Sequence, residues 1–180
     1  MVLFLDAAHF VHSVYTGFLW CFTRLFVPSN SGRQRWNVLA ALDAVSLKVH
    51  SVCNNSYINS ESVCELLTQL RKFYETRPIT IFLDNAKYQK CKLVQECAMQ
   101  LNIELAYIPS YSPNLNLIER FWKHVRKECL YSKFYSSFSE FKQSICSCID
   151  QSDTKHKAKL NTSDVLLFDG VVVVDNPVKF

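Results

Sequence analysis

Apolar residues follow two rhythms along this chain, and the change from one to the other divides it. Val2–Leu5 is a short unbroken apolar run ending in Asp6, which predicts a strand covered on both faces. Phe18–Thr23 and Trp36–Leu42 predict further strands, separated by the turn formers Pro28, Ser29, Asn30, Ser31 and Gly32. Lys48–Cys53 follows a short connection through Asp43–Ser46, as a hairpin partner does. The first third therefore reads as an antiparallel meander.

Helical spacing then takes over. Val63, Leu66, Leu67, Leu70 and Phe73 share one face behind Asn59 and Ser60, either of which suits an N-cap, and Pro78 closes the segment. Ile79–Leu83 is a second short apolar run ending in an acid, here Asp84. A helical stripe through Leu93, Val94, Cys97, Ala98 and Leu101 and a strand over Ile103–Ile108 complete a βαβ unit, which needs parallel pairing. Ser112 and Pro113 read as the N-cap and first turn of a long helix with Leu115, Ile118, Trp122, Val125 and Cys129 on its apolar face and Glu119 beside it. Ser137 and Glu140 form a capping-box pattern, and Phe138, Phe141, Ile145 and Ile149 give the last helix its buried side. Beyond Asp153 the pattern decays into a Lys-rich linker, and Val165–Val174 is β-prone around Gly170. There are no internal repeats.

With 180 residues, 49% of them apolar, the chain has the length for one domain with a real core. The net charge of +4 is uneven: residues 119–160 alone carry +4, so the basic excess begins at Glu119. Eight cysteines form no CxxC pair and stand mostly among apolar residues, which predicts buried, reduced thiols in a reducing compartment. Asp6, His9 and His12 interrupt the N-terminal apolar stretch, so it does not read as a signal peptide, and no run approaches the roughly 20 apolar residues that span a bilayer. A soluble, intracellular (cytoplasmic) protein with no membrane partner is expected.

Two acids at the carboxyl ends of two buried strands stand where ligands and catalytic groups gather in parallel α/β sheets. Adjacent strands would bring Asp6 and Asp84 together, and Glu119, on the helix fed by the strand ending at Ile108, could complete a cluster. Clustered carboxylates repel one another unless a cation is present, and hard oxygen donors favour Mg²⁺ or Mn²⁺ over zinc. Two such ions about 3.5 to 4 Å apart can activate a water or 3′-hydroxyl and stabilise the leaving oxygen of a phosphodiester. Arg120, Lys123, Arg126 and Lys127 share the helix with Glu119 and suit the flanking phosphates of DNA. The chemistry indicated is phosphoryl transfer.

Leu83-Asp84-Asn85-Ala86 with Tyr88-Gln89, and the run from Ile108-Pro109-Ser110-Tyr111-Ser112-Pro113 through Asn114-Leu115-Asn116-Leu117-Ile118-Glu119 to Arg120-Phe121-Trp122-Lys123, closely resemble the second and third catalytic motifs of DDE transposases. Phe4-Leu5-Asp6-Ala7-Ala8-His9 resembles the first. Gly32-Arg33-Gln34-Arg35 and Tyr57-Ile58-Asn59-Ser60 also resemble stretches of these proteins. The 34 residues between Asp84 and Glu119 match the bacterial insertion-sequence branch of the mariner superfamily. The resemblance covers about residues 1–152 and leaves 153–180 as a linker and atypical tail. It implies an α/β, RNase H-like mixed sheet with helices on both faces, in which Asp6 bridges two Mg²⁺ (or Mn²⁺) ions while Asp84 and Glu119 each hold one. It further implies hydrolytic cutting of double-stranded DNA at transposon ends, joining of the freed 3′-hydroxyls to target DNA, no nucleotide cofactor, and action as a homodimer. Family members carry an N-terminal helix-turn-helix region, whereas this chain starts almost at the first catalytic strand, so a transposase fragment is expected.

Other residues have plainer readings. Asp43 reads as a hairpin-turn acid, Trp122 as core, His12 as structural and His9 as a neighbour of the metal ligands. Phe121 suits base stacking or core, and Asn85 and Tyr111 suit ligand orientation or capping and packing. Cys146 and Cys148 form a CxC without a partner pair. Two rival functions are an inactive remnant that only binds DNA or a transposase, and an RNase H-like nuclease acting on RNA, which the proline-rich motif before Glu119 disfavours.

Overall fold

In a computed structural model that describes residues 1–12, 22, 23, 26, 34–109, 112, 115–155 and 157, the chain runs β1 (Val2–His12), β2 (Gln34–Asp43), β3 (Val49–Asn54), α1 (Ser60–Tyr74), β4 (Ile79–Leu83), α2 (Lys92–Gln100), β5 (Ile103–Tyr107), α3 (Leu117–Cys129) and α4 (Phe138–Asp150). The strands form one mixed sheet in the order β3-β2-β1-β4-β5. β1, β2 and β3 pair antiparallel, as the meander pattern predicts, and β1, β4 and β5 pair parallel, as the βαβ pattern requires. Of the strand expected at 18–23 only Phe22 and Thr23 are described, and they form a bend; the hairpin expected at 165–174 and Tyr111 lie outside the described residues.

Each face of the sheet carries its own core. Leu3, Leu5, Leu39, Ala41, Ile81 and Leu83 point to α1 and α2, whereas Phe4, Ala8, Phe10, Val38, Ala40 and Leu42 point to α3 and α4. This alternation follows from the two-residue pleat: a strand buried on both sides must be apolar at every position, as Val2–Leu5 and Val38–Leu42 are. The RNase H-like α/β arrangement with helices on both faces is therefore present. Among the described residues no helix is long and apolar enough to cross a membrane.

Four details differ from the sequence expectation. β1 does not end at Asp6 but runs on to His12, because Asp6 through His12 pair with Ala40 through Gln34 of β2. Its alternation simply continues through Ala8, Phe10 and His12, past the polar residue that breaks the apolar run. α3 starts at Leu117 with Asn116 as its N-cap, not at Ser112; the Ser112 carbonyl instead accepts from the Leu115 N–H to close a turn, and Leu115 is left exposed. On α1 the buried stripe ends on Tyr74, while Phe73 turns outward beneath the Lys48 ammonium, 4.2 Å from its ring centre. Ser137 caps α4 by accepting from the Glu140 N–H at 3.2 Å, but the Glu140 carboxylate accepts from the Ser136 hydroxyl instead of returning to the cap. Every described cysteine is a free thiol, and of these only Cys129 and Cys148 are buried; the others are half-buried.

Candidate active site

The site grows from the register of two parallel strands. Phe4 of β1 lies opposite Phe82 of β4, and their rings stack at 5.3 Å between centroids. Two residues further along β1 the pleat returns Asp6 to the face of Phe4, and Asp84 follows directly after the last residue of β4. The β1–β4 pairing stops at Leu5 and Leu83. Beyond it β1 stays with β2, while β4 ends and the Leu83 carbonyl accepts from the Ile108 N–H. The strands thus part where the two acids stand, and such a parting is where open α/β sheets bind their ligands.

α3 lies across this opening. Ile118, Phe121, Trp122 and Val125 anchor it in the core shared with Phe4, Ala8 and Phe10. Trp122 is fully buried, packs edge-on against Phe10 and donates from its indole Nε1 to Asp6 Oδ2 at 3.2 Å. Asn116, just before the helix, donates from Nδ2 to Asp84 Oδ1 at 3.4 Å. Glu119 lies one turn after Asn116 and one turn before Trp122, within the first turn of the helix, where the backbone dipole favours an anion.

Asp6 feels the charge of both other acids. The Asp6 carboxyl is pushed up to about 7, chiefly by burial; the negative charges of Glu119 and Asp84 raise it further, while bonds from the Ala7 N–H and the Trp122 indole pull the other way. Among the described residues, however, no three His, Cys, Asp or Glu side chains stand close enough together to hold a metal ion as placed. The donors that are present, carboxylate oxygens beside a buried amide oxygen of Asn116 that lacks a hydrogen-bond partner among the described residues, have the chemistry of a hard divalent cation site. The cost of ionising Asp6 next to two other anions is also of the kind a bound cation removes.

The basic residues lie on the outer side of the same helix. At 100° per residue, Arg120, Lys123, Arg126 and Lys127 share about a third of its circumference with Glu119, opposite Ile118, Phe121 and Val125. Lys123 and Lys127 are exposed, and Arg120 and Arg126 half-buried.

Other candidates resolve by position. Phe121 is core, 1% exposed, and so is not a base-stacking surface. His9 bonds Asn37 Oδ1 at 2.7 Å and is in phase with Leu3, Leu5 and Ala7, on the face of β1 opposite Asp6, so it is not a neighbour of the candidate ligands. His12 is buried against Phe138 and Phe141 and bonds the Tyr135 carbonyl, a structural role. Asn85 ties the end of β4 to the Ile108 carbonyl. Asp43 accepts from the Val45 and Ser46 N–H groups in the β2–β3 turn, as expected of a hairpin-turn acid.

Tyr88 belongs to the run that resembles the Asp84 motif, but its surroundings emerge only in the fold. Its hydroxyl accepts from Gln89 Nε2 at 3.2 Å, and the Tyr88 pKa is raised by burial and by the negative charges of Asp6 and Asp84. A tyrosine in a loop carries no periodic signal, so only the folded arrangement shows that it flanks the acids.

Comparison with known proteins gives a consistent result. The family model of the DDE superfamily endonucleases matches residues 1–142. No curated protein matches the sequence. Among solved structures, the Mos1 mariner paired end complex with Mn has a TM-score of 0.64 at 16% identity, covering 88% of this chain and 52% of that chain. The intasome of simian T-cell lymphotropic virus, solved with a PP2A regulatory subunit, has a TM-score of 0.58 at 16% identity, covering 83% and 47%. The catalytic core domain of BIV integrase has a TM-score of 0.55 at 11% identity, covering 86% and 84%. The chain spans about half the length of the Mos1 and intasome proteins it matches.

Proposed function

The chain belongs to the DDE superfamily of endonucleases, and from that premise we propose that residues 1–152 are the catalytic domain of a mariner-type transposase of the bacterial insertion-sequence branch. The observation that carries this is the strongly raised Asp6 carboxyl, standing with Asp84 where β1 and β4 part and under α3, which bears Glu119. The 34-residue interval and the proline-rich run before Glu119 support the branch.

In this reading Asp6, Asp84 and Glu119 would hold two Mg²⁺ or Mn²⁺ ions, with Asp6 serving both. Bound there, the ions supply an activated water or 3′-hydroxyl and a stabilised leaving oxygen. The protein's own part is to place donors. Asp6 is carried by β1, Asp84 follows the end of β4 and accepts from Asn116, and Glu119 is carried by a helix anchored in the core. Arg120, Lys123, Arg126 and Lys127 meet the phosphates flanking the reacting one on double-stranded DNA, at transposon ends and then at the target. Two copies would pair two ends.

Purified protein with Mn²⁺ is expected to nick or join short duplex DNA, and Asp84→Asn to abolish that activity while remaining folded. If wild type and Asp84→Asn are equally inert though both are folded, the chain is a remnant that binds DNA or a transposase without cutting. Cleavage of RNA–DNA hybrids in preference to duplex DNA would favour the RNA nuclease instead.

A further inference from the structure

We propose that Asn116 and Trp122 are positioning residues that let α3 hold all three acids at once. The helix supplies Glu119 itself and fixes Asp84 and Asp6 by one hydrogen bond each, from one turn before Glu119 and one turn after it. This rests on the metal-site reading above.

Asn116 carries the first half of the case. Asparagine at an N-cap ordinarily bonds the N–H groups of its own first turn. Here it makes no such bond. The residue is 1% exposed, its Nδ2 donates to Asp84 Oδ1, and its Oδ1 is buried without a hydrogen-bond partner among the described residues. The helix gives up a cap, and a buried acceptor goes unmet, in an arrangement that aims one donor at a carboxylate. Packing alone does not call for an amide at that place.

Trp122 carries the second half. Its ring is locked between Phe10 and Phe121, so the direction of the N–H is fixed and Asp6 Oδ2 is held with it. Asp6 sits in mid-strand, where its carboxylate also accepts from the Ala7 N–H. The donor from the rigid ring adds a second restraint and fixes where Oδ2 lies. Partners of this kind orient metal ligands and commonly change metal affinity 10–100-fold when removed.

The test measures Mn²⁺ binding to the whole chain, by paramagnetic resonance or calorimetry, beside DNA nicking. Trp122→Phe keeps the ring packing and deletes the donor. Asn116→Ser keeps a good N-cap and cannot reach Asp84. Each is expected to raise the Mn²⁺ Kd about 10-fold with the metal-free thermal transition little changed, and nicking is expected to recover once Mn²⁺ exceeds the new Kd. In an Asp84→Asn background, Asn116→Ser should have no further effect. A structural role would lower the transition temperature without moving the Kd.

If wild type binds Mn²⁺ and Asp84→Asn does not, yet both positioning variants bind within twofold of wild type, the proposal is overturned and the metal site stands. If wild type takes up no Mn²⁺, the metal-site reading falls and this inference with it. Asn116→Ser alone decides the outcome if Trp122→Phe fails to fold.

Discussion

Phe4 and Phe82 stack across the β1–β4 ladder two residues before Asp6 and Asp84, so the floor of the candidate site is also a joint of the core. The same pleat that buries the Phe4 ring lifts Asp6 onto the face that α3 covers. Stability and site geometry therefore depend on one register. Phe4 is 8% exposed, and Phe4→Ala is expected to lower unfolding free energy by about 3 kcal/mol, with Phe4→Leu costing about 1. Urea denaturation checks this, and a Phe4→Ala loss below that of Phe4→Leu would contradict it.

Burial raises the Asp6 carboxyl from 3.8 to about 7. The folded state thus holds this proton more tightly than the unfolded state. The resulting stability is full below pH 3.8 and is lost as pH rises through about 7. Without divalent ions, this group alone makes the protein less stable at pH 8 than at pH 4 by up to about 4 kcal/mol. Asp6→Asn removes the ionisation and is expected to raise the melting temperature at pH 8 and flatten the pH profile between 4 and 8. Thermal melts in metal-free buffer read this directly. A steeper fall for Asp6→Asn than for wild type would show that Asp6 is not the group responsible.

Lys123 and Lys127 lie exposed on the outer arc of α3. If they meet DNA phosphates, Lys123→Ala and Lys127→Ala each weaken duplex binding irrespective of sequence and reduce the slope of log K against log salt by about 1. Fluorescence anisotropy across a salt series measures the slope. An unchanged slope in the double variant would remove α3 from the DNA contact surface.

Asp43 is more buried than any of the three candidate catalytic acids, at 3% exposed, and it serves a turn. Asp43→Asn keeps an oxygen acceptor and is expected to be tolerated. Asp43→Ala leaves the Val45 and Ser46 N–H groups without their acceptor and should cost about 1–2 kcal/mol. Neither should change DNA nicking per folded molecule, whereas Asp84→Asn should abolish it. Comparing chemical stability and nicking for the three variants separates the turn acid from the candidate catalytic ones.

The order of the described strands and helices was legible from the chain alone, because unbroken apolar runs and 3.6-residue stripes report burial directly, and motifs with their interval singled out Asp6, Asp84 and Glu119. The sequence could not show that β1 runs on to His12, since a strand past its parallel partner is held by β2, which lies across the stretch that follows it in the chain. Nor could it show where α3 starts, because Ser-Pro suits a turn as well as a first helical turn. The tertiary structure alone decided that Trp122 touches Asp6 and that Asn116 leaves its own helix for Asp84. It likewise decided that His9 faces away from the acids and that Tyr88 flanks them. The physical reason is common to these cases: periodicity tells which side of an element is buried, whereas a hydrogen bond between distant elements depends on how strand register and helix placement combine in space.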